Sequence, residues 1–313
     1  MFILLRYSRK LAISTKLGMR VDPFKNAYRF FDETKTRSFK SGIYLIFTYE
    51  KMVIPICMIG AKKKHVAIYT VITGKYDEPR TKPKDLDVPC ILLSNNKETK
   101  LHATKAGWEV YDLPTIPDYE FDMAAFKDST RNVWLQRYLK INPHAIKVLL
   151  DYEVVIWADG NLEVSIQDVK NVKNLTKQDR VADVLRKQHP NPRRKNLVAE
   201  ELRAIARRAS RQRWKSCQEP CFNKLKHEML MAGFVDNQLS ETNFLVRRNP
   251  GFEKMIRFAE DWWRILKMNN CWRDQAGFDY ALWRSKISVD TVLFTGRRHW
   301  HGVGQKKGFM PDK

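Results

Sequence analysis

The sequence predicts an α/β protein of Rossmann type, with a mixed, mostly parallel sheet flanked by helices. Three features predict it. Short apolar runs at residues 66–72, 88–93 and 154–158 read as strands buried on both faces. Each stops abruptly in turn-forming or polar residues: Thr73-Gly74, Ser94-Asn95-Asn96 and Asp159-Gly160-Asn161. Helical or loop crossovers separate the runs, which favours parallel pairing.

Residues 1–60 are basic, weakly periodic and free of chemical motifs, and read as an N-terminal appendage. Lys62-Lys63-Lys64 marks a break, so the main domain is expected over 61–313, ordered from His65. The strand at 66–72 leads into a polar loop through Tyr76 and Asp77. A second strand follows at 88–93 and a short third at 108–113. A helix is expected at 129–139, with Arg137 and Lys140 on its basic side, ended by Asn142-Pro143. The central strand comes next. From 180 to 215 there are twelve Lys/Arg against three acids, with Val198, Leu202, Ile205 and Ala209 on one helical face. Residues 242–246 read as a strand. Asn249-Pro250 then starts a helix, with Asn as cap and an apolar stripe of Phe252, Met255, Ile256, Ala259, Trp262, Trp263 and Leu266. Asp274 caps another helix, and a last strand is expected at 291–294 before a basic tail.

The 313 residues suffice for a full core, and 43% hydrophobic residues make the chain globular. With 57 Lys+Arg against 35 Asp+Glu, the net charge is +22, which favours anionic partners: nucleotides, nucleic acid, acidic glycans or anionic lipid. Five cysteines without regular spacing argue against a disulfide framework, and Cys217 and Cys221 lack the second pair a zinc site needs. The longest apolar stretch, 42–60, carries Glu50, Lys51 and Pro55, a poor membrane span. The expected location is cytoplasmic or peripherally membrane-associated, with a Golgi membrane anchor as the remaining option.

The chemistry concentrates at two places. Asp159-Gly160-Asn161 puts oxygen ligands at the carboxyl end of a buried strand, where open α/β sheets bind ligands. An ordinary Asp-Gly turn is the competing reading. The tail holds His301, Gly304 and Lys307 in the spacing H-x-x-G-x-x-K. An imidazole can complete a metal shell begun by carboxylates, a glycine lets backbone approach a pyrophosphate, and a lysine neutralises phosphate. A general basic tail is the alternative there.

His301, Gly304 and Lys307 resemble the carboxyl-terminal motif of glycogenin-like retaining glycosyltransferases, Asp159-Gly160-Asn161 resembles their D-x-D, and Asp274-Gln275 resembles the pair at their reaction centre, with Asn243 ahead of it. A broader resemblance covers roughly residues 65–307. It is to a glycosyltransferase-like family that includes plant mucilage-related galacturonosyltransferases and turgor-regulation proteins reported as ceramidases. It rests on the text from Val66 through Thr73-Gly74 to Asp77, on Arg137-Tyr-Leu-Lys140 continuing to His144, on Ile156 to Asn161, on His189-Pro with Arg193, and on Arg273-Asp-Gln275. Residues 1–60 have no counterpart, and the membrane anchor of the plant proteins is not evident.

The resemblance implies a GT-A fold and a metal-dependent, retaining glycosyltransferase that moves a sugar from a nucleotide-diphosphate sugar to a glycan, glycoprotein or other hydroxyl acceptor. Mn2+ or Mg2+ would sit on Asp159, Asn161 and His301. Thr73, Gly74, Tyr76, Asp77, Arg137, Lys140, Gly304 and Lys307 would hold the nucleotide diphosphate. Asp274 and Gln275 would lie at the reaction centre. Two other classes compete. A ceramidase-like lipid amide hydrolase would need a zinc spacing or nucleophile–base pair that the sequence does not offer. A basic nucleic-acid-binding protein has the charge but no recognised motif.

Overall fold

The computed structural model describes residues 48–49, 52–53, 64–74, 77–117, 128–177, 182–188, 219–235, 239–269 and 273–298. The sequence-predicted Tyr76, His189, His301, Gly304 and Lys307, and the apolar run of Val198, Leu202, Ile205 and Ala209, lie outside them. The chain divides into two compact units, Met1–Lys62 and Lys63–Lys313. In the first, β1 (Thr48–Tyr49) pairs antiparallel with β2 (Met52–Val53).

In the second unit the elements are β3 (Lys64–Val71), β4 (Cys90–Leu93), α1 (Lys97–Lys105), β5 (Glu109–Tyr111), α2 (Asp128–Ile141), β6 (Tyr152–Ala158), β7 (Leu162–Glu163), α3 (Ile166–Thr176), β8 (Val184–Gln188), α4 (Glu219–Met231), β9 (Ser240–Arg248), α5 (Glu253–Met268), α6 (Asp274–Arg284), β10 (Val289–Thr291) and β11 (Arg297–Arg298). Seven of the strands form one sheet in the order β5-β4-β3-β6-β9-β8-β10. β5, β4, β3 and β6 are parallel, β9 runs against both its neighbours, and β10 is parallel to β8. The architecture is therefore the mixed, mostly parallel sheet expected, with β9 alone reversed.

The continuous apolar runs follow from burial on both faces. Along β3, Val66 and Ile68 pack with Val154, Ile156, Phe244 and Leu185 over Val169 and Val172 of α3. The alternate residues Ala67, Tyr69 and Val71 face the other way, with Val155 and Trp157 under α2, α5 and α6. The register sets Tyr69 against Trp157 and Trp157 against Leu245. The α5 stripe is buried core: Met255, Phe258, Ala259, Trp262, Trp263 and Leu266 recur at helical spacing. Trp263 meets Trp134 of α2 edge-on at 5.4 Å, and Trp262 meets Phe278 of α6 at 4.8 Å.

Several local expectations need correction. Asn249 does not cap α5: it sits at φ 43° and its carbonyl accepts from the Phe252 N–H, so Asn249-Pro250-Gly251 makes a turn first. Phe252 takes the cap position instead and is 58% exposed, outside the apolar stripe. Asp274 is the first residue of α6 rather than its cap, which is Arg273. The last sheet strand is Val289–Thr291, earlier than expected, because beyond it Leu293 turns outward while Val292 is buried. β8 was hidden in the basic run: Arg186 pairs with Asp279 and Lys187 with Glu241, so these cations face carboxylates within the fold. Among the described residues, no helix is long and apolar enough to cross a membrane.

Candidate active site

The sheet has a topological switch point. From β3 the chain adds β4 and β5 on one side, and β6 lies on the other. A crevice therefore opens between the carboxyl ends of β3 and β6, the place where doubly wound sheets bind ligands.

The β3 side is the Thr73-Gly74 loop. Thr73 Oγ1 donates to the Asn132 carbonyl at 2.9 Å, and the Gly74 N–H donates to Asn95 Oδ1 at 2.7 Å. Asn95 Nδ2 in turn donates to Asn132 Oδ1 at 3.2 Å. Gly74 has φ +61° and a Cβ there would stand 3.3 Å from Asn132 Nδ2, so glycine suits both the backbone and the space. Asp77 folds back against β6: a Cβ on Gly160 would lie 3.0 Å from Ile72 Cδ1 and 3.7 Å from the Asp77 Cβ. Burial raises the Asp77 carboxyl pKa above the ordinary value, and nearby Asp159 adds to that rise, against the Glu78 N–H and Arg80.

On the β6 side, Asp159 is tied to its neighbours through backbone and side chain. Its N–H donates to the Asn243 carbonyl at 2.9 Å and its own carbonyl accepts from Leu162 at 2.8 Å, closing the turn. Trp157 Nε1 donates to Asp159 Oδ1 at 2.8 Å, and Lys140 Nζ stands 3.5 Å from the same oxygen. Asp159 keeps its side chain 25% exposed. Beside it are two buried carboxamides with atoms unpaired among the described residues: Asn161, 8% exposed, at Oδ1, and Asn243, 4% exposed, at both Oδ1 and Nδ2. Buried polar atoms are nearly always paired, so these two carboxamides are open to a water or a ligand.

Beneath the turn lies an ion cluster. Lys140 Nζ is 2.6 Å from Asp274 Oδ2 and donates to Thr242 Oγ1 at 3.3 Å; the Thr242 hydroxyl donates to the same Asp274 oxygen at 2.8 Å. Arg137 Nε is 3.2 Å from Asp274 Oδ1. Burial pushes the Asp274 carboxyl up, but Arg137 and Lys140 outweigh it and hold the pKa well below the carboxylate range. Burial lowers the Lys140 ammonium, opposed by Asp159 and Asp274; with two carboxylates upon it we take the pair as ionised. Gln275 is held on both sides, donating to the Ser240 carbonyl at 2.9 Å and accepting from Arg273 at 3.2 Å. Removing one partner of a buried pair of this kind costs about 3–5 kcal/mol, so the cluster is structural as well.

A second buried layer fixes the cluster's supports. Arg247 of β9 is fully buried and donates to the carbonyls of Ile141 at 3.0 Å and Lys140 at 2.5 Å, at the end of α2 where a helix favours positive charge. It also meets the Tyr69 hydroxyl. Asp279 of α6 accepts from Ser240 N–H at 2.8 Å and from Arg186 at 2.5 Å, locking α6 to β8 and β9. Thr242, Asn95, Asn132, Arg247 and Asp279 escaped the sequence reading. Only Asp279 left a signal, a charge inside the apolar segment Phe278 to Leu282.

A small ribbon completes the site's edge. β11 pairs antiparallel with β7, Arg297 opposite Glu163 and Arg298 opposite Leu162, so β11 leaves the pair at its Asn161 end. Asp168 anchors it from the α3 capping box, accepting from the N–H of Ser165 at 2.8 Å through Oδ2 and of Thr295 at 2.6 Å through Oδ1. A Cβ on Gly296 would fall 2.1 Å from the Glu163 carbonyl, so only glycine permits this approach.

Of the predicted site residues, Thr73, Gly74, Asp77, Arg137, Lys140, Asp159, Asn161, Asp274 and Gln275 are thus gathered around the carboxyl ends of β3 and β6. Among the described residues, no group of three or more His, Cys, Asp or Glu is placed to hold a metal ion. The donors present, the Asp159 carboxylate and the orphaned Asn161 carbonyl, are hard oxygens of the kind that take part of a Mg2+ or Mn2+ shell, so they fit such an ion.

No protein-family model matches the chain, and none of the curated proteins matches it. Solved structures do show similarity. Glucosyl-3-phosphoglycerate synthase from Mycobacterium tuberculosis, in complex with Mn2+, uridine diphosphate and glucosyl-3-phosphoglycerate, is 12% identical with a TM-score of 0.35, over 80% of this chain and 76% of that one. Core-mannan synthase A from Aspergillus fumigatus, in its Mn/GDP form, is 9% identical with a TM-score of 0.41, over 74% and 73%. Mouse xyloside xylosyltransferase 1 is 10% identical with a TM-score of 0.41, over 73% and 84%.

Proposed function

We propose that this chain is a metal-dependent glycosyltransferase that moves a sugar from a nucleotide-diphosphate sugar to a hydroxyl acceptor. The observation that carries the reading is the β7–β11 ribbon. It ends at Arg298, paired with Leu162 next to the Asp159-Gly160-Asn161 turn. His301 is three residues beyond Arg298, and three residues span at most about 10 Å. On this reading His301, so close in sequence to Arg298, joins Asp159 and Asn161 on one ion, and Lys307 neutralises the phosphates that ion carries.

In this reading, Mn2+ or Mg2+ on Asp159, Asn161 and His301 supplies Lewis-acid stabilisation of the leaving diphosphate. Thr73, Gly74, Tyr76 and Asp77 receive the nucleoside, with the loop pre-set by Asn95 and Asn132. Gly304 admits the pyrophosphate and Lys307 neutralises it. Arg137 and Lys140 add fixed positive charge below the phosphates and orient Asp274. Asp274 and Gln275 lie at the transferred sugar, with retention of configuration at its anomeric carbon. A glycan or glycoprotein hydroxyl is the acceptor. The resemblance in sequence to glycosyltransferases with a GT-A fold supports this assignment.

The test is release of nucleotide diphosphate from a panel of nucleotide sugars with and without Mn2+. Metal-dependent release from at least one donor, cut at least about tenfold by Asp159→Ala, is expected. Release from none of them, or release indifferent to Asp159, would count against the assignment.

A further inference from the structure

Lys140 stands where a bound cation would also bring its charge. Its ammonium is 1% exposed, lies 5.3 Å over the Trp157 ring, and is shared between two carboxylates. The sharing is unequal: 2.6 Å to Asp274 and 3.5 Å to Asp159. Thr242, bonded to both Lys140 and Asp274, fixes the ammonium on the Asp274 side. Trp157 and Lys140 converge on Asp159 Oδ1, which leaves Oδ2 as its open oxygen among the described residues. An ammonium and a divalent cation on one carboxylate repel each other, so how far Lys140 is held away decides how strongly Asp159 can hold a metal.

We propose that Lys140 sets the metal affinity of the Asp159 site, and that Asp274 is the counter-ion that draws the ammonium off Asp159. This rests on the reading of Asp159 as a metal ligand and assigns Asp274 a duty that needs no contact with the metal. Two consequences have opposite signs. Loss of the Lys140 charge strengthens metal binding. Loss of the Asp274 charge weakens it, because Lys140 then leans on Asp159, its remaining carboxylate among the described residues. The second effect acts through Lys140 and vanishes when Lys140 is gone.

The experiment is calorimetric titration of the full chain with Mn2+ alone, without nucleotide, so that turnover plays no part. Lys140→Met is expected to tighten Mn2+ binding about tenfold, and Asp274→Asn to weaken it by a similar factor. The double variant should bind as Lys140→Met does. Arg137 remains on Asp274 in Lys140→Met, which favours folding, and circular dichroism checks each variant. Should Asp274→Asn not fold, Thr242→Val replaces it: it loosens Lys140 from Asp274 and is expected to weaken Mn2+ about threefold, again only while Lys140 is present. Weaker binding in Lys140→Met, or an equal effect of the second substitution with and without Lys140, overturns the proposal while leaving the metal at Asp159 intact. If the wild type binds no Mn2+, or Asp159→Ala binds it unchanged, the metal reading itself falls and this proposal with it.

Discussion

At the scale of single residues, His144 is a half-buried imidazole close to Arg247. Burial first, and Arg247 second, lower its pKa from 6.5 to about 4. A histidine depressed in the folded state is protonated more readily in the unfolded chain, so stability rises with pH across this window. The sign follows directly: from pH 6.5 down to about 4 the unfolded state gains a proton that the folded state refuses. Melting temperatures of the wild type and His144→Asn, measured from pH 7 to pH 4, are expected to diverge, the wild type losing more on acidification. Parallel curves would show that His144 is not the group responsible. The sequence showed Lys140, Arg137 and Asp274 as charges near a motif. That they face one another beneath Asp159 was not legible, because it depends on α2, β9 and α6 converging from segments more than 100 residues apart.

At the scale of elements, the strands that are apolar throughout were legible and the others were not. β3 and β6 declare themselves because both faces are buried. β8 has Arg186 and Lys187 in a run of basic residues, and its carboxylate partners Asp279 and Glu241 lie far along the chain. β7 and β11 are two residues each and carry no periodicity to read. Yet this ribbon makes a specific prediction. Gly296→Ala puts a methyl group against the Glu163 carbonyl, and the strap must lift to relieve it. Since the ribbon is a two-stranded sheet separate from the seven-stranded one, Gly296→Ala is expected to lower the melting temperature by only a few degrees, on the order of a kcal/mol. It should weaken Mn2+-dependent nucleotide diphosphate binding at least about tenfold. Unchanged affinity in the folded variant would show that the ribbon does not serve the site.

At the scale of the whole molecule, the described residues of the candidate site lie within the second compact unit, Lys63–Lys313. The seven-stranded sheet, the three hydrophobic clusters and the ion cluster belong to 63–313. We expect a truncation that begins at Lys63 to melt cooperatively and to keep the Mn2+ and nucleotide affinity of the full chain. Insolubility or a broad, non-cooperative melt would mean that Met1–Lys62 contributes to the core.

The Arg298–Leu162 pairing has one more consequence, for how the tail meets its ligand. A peptide free in solution must be supplied at a concentration near its dissociation constant. A segment tethered a few residues from its target is present at an effective concentration in the millimolar range, whatever the concentration of protein. If the groups beyond Arg298 act at the site as proposed, they therefore need almost no intrinsic affinity for it. The same sequence added in trans to a chain cut after Arg298 should restore function only at millimolar doses.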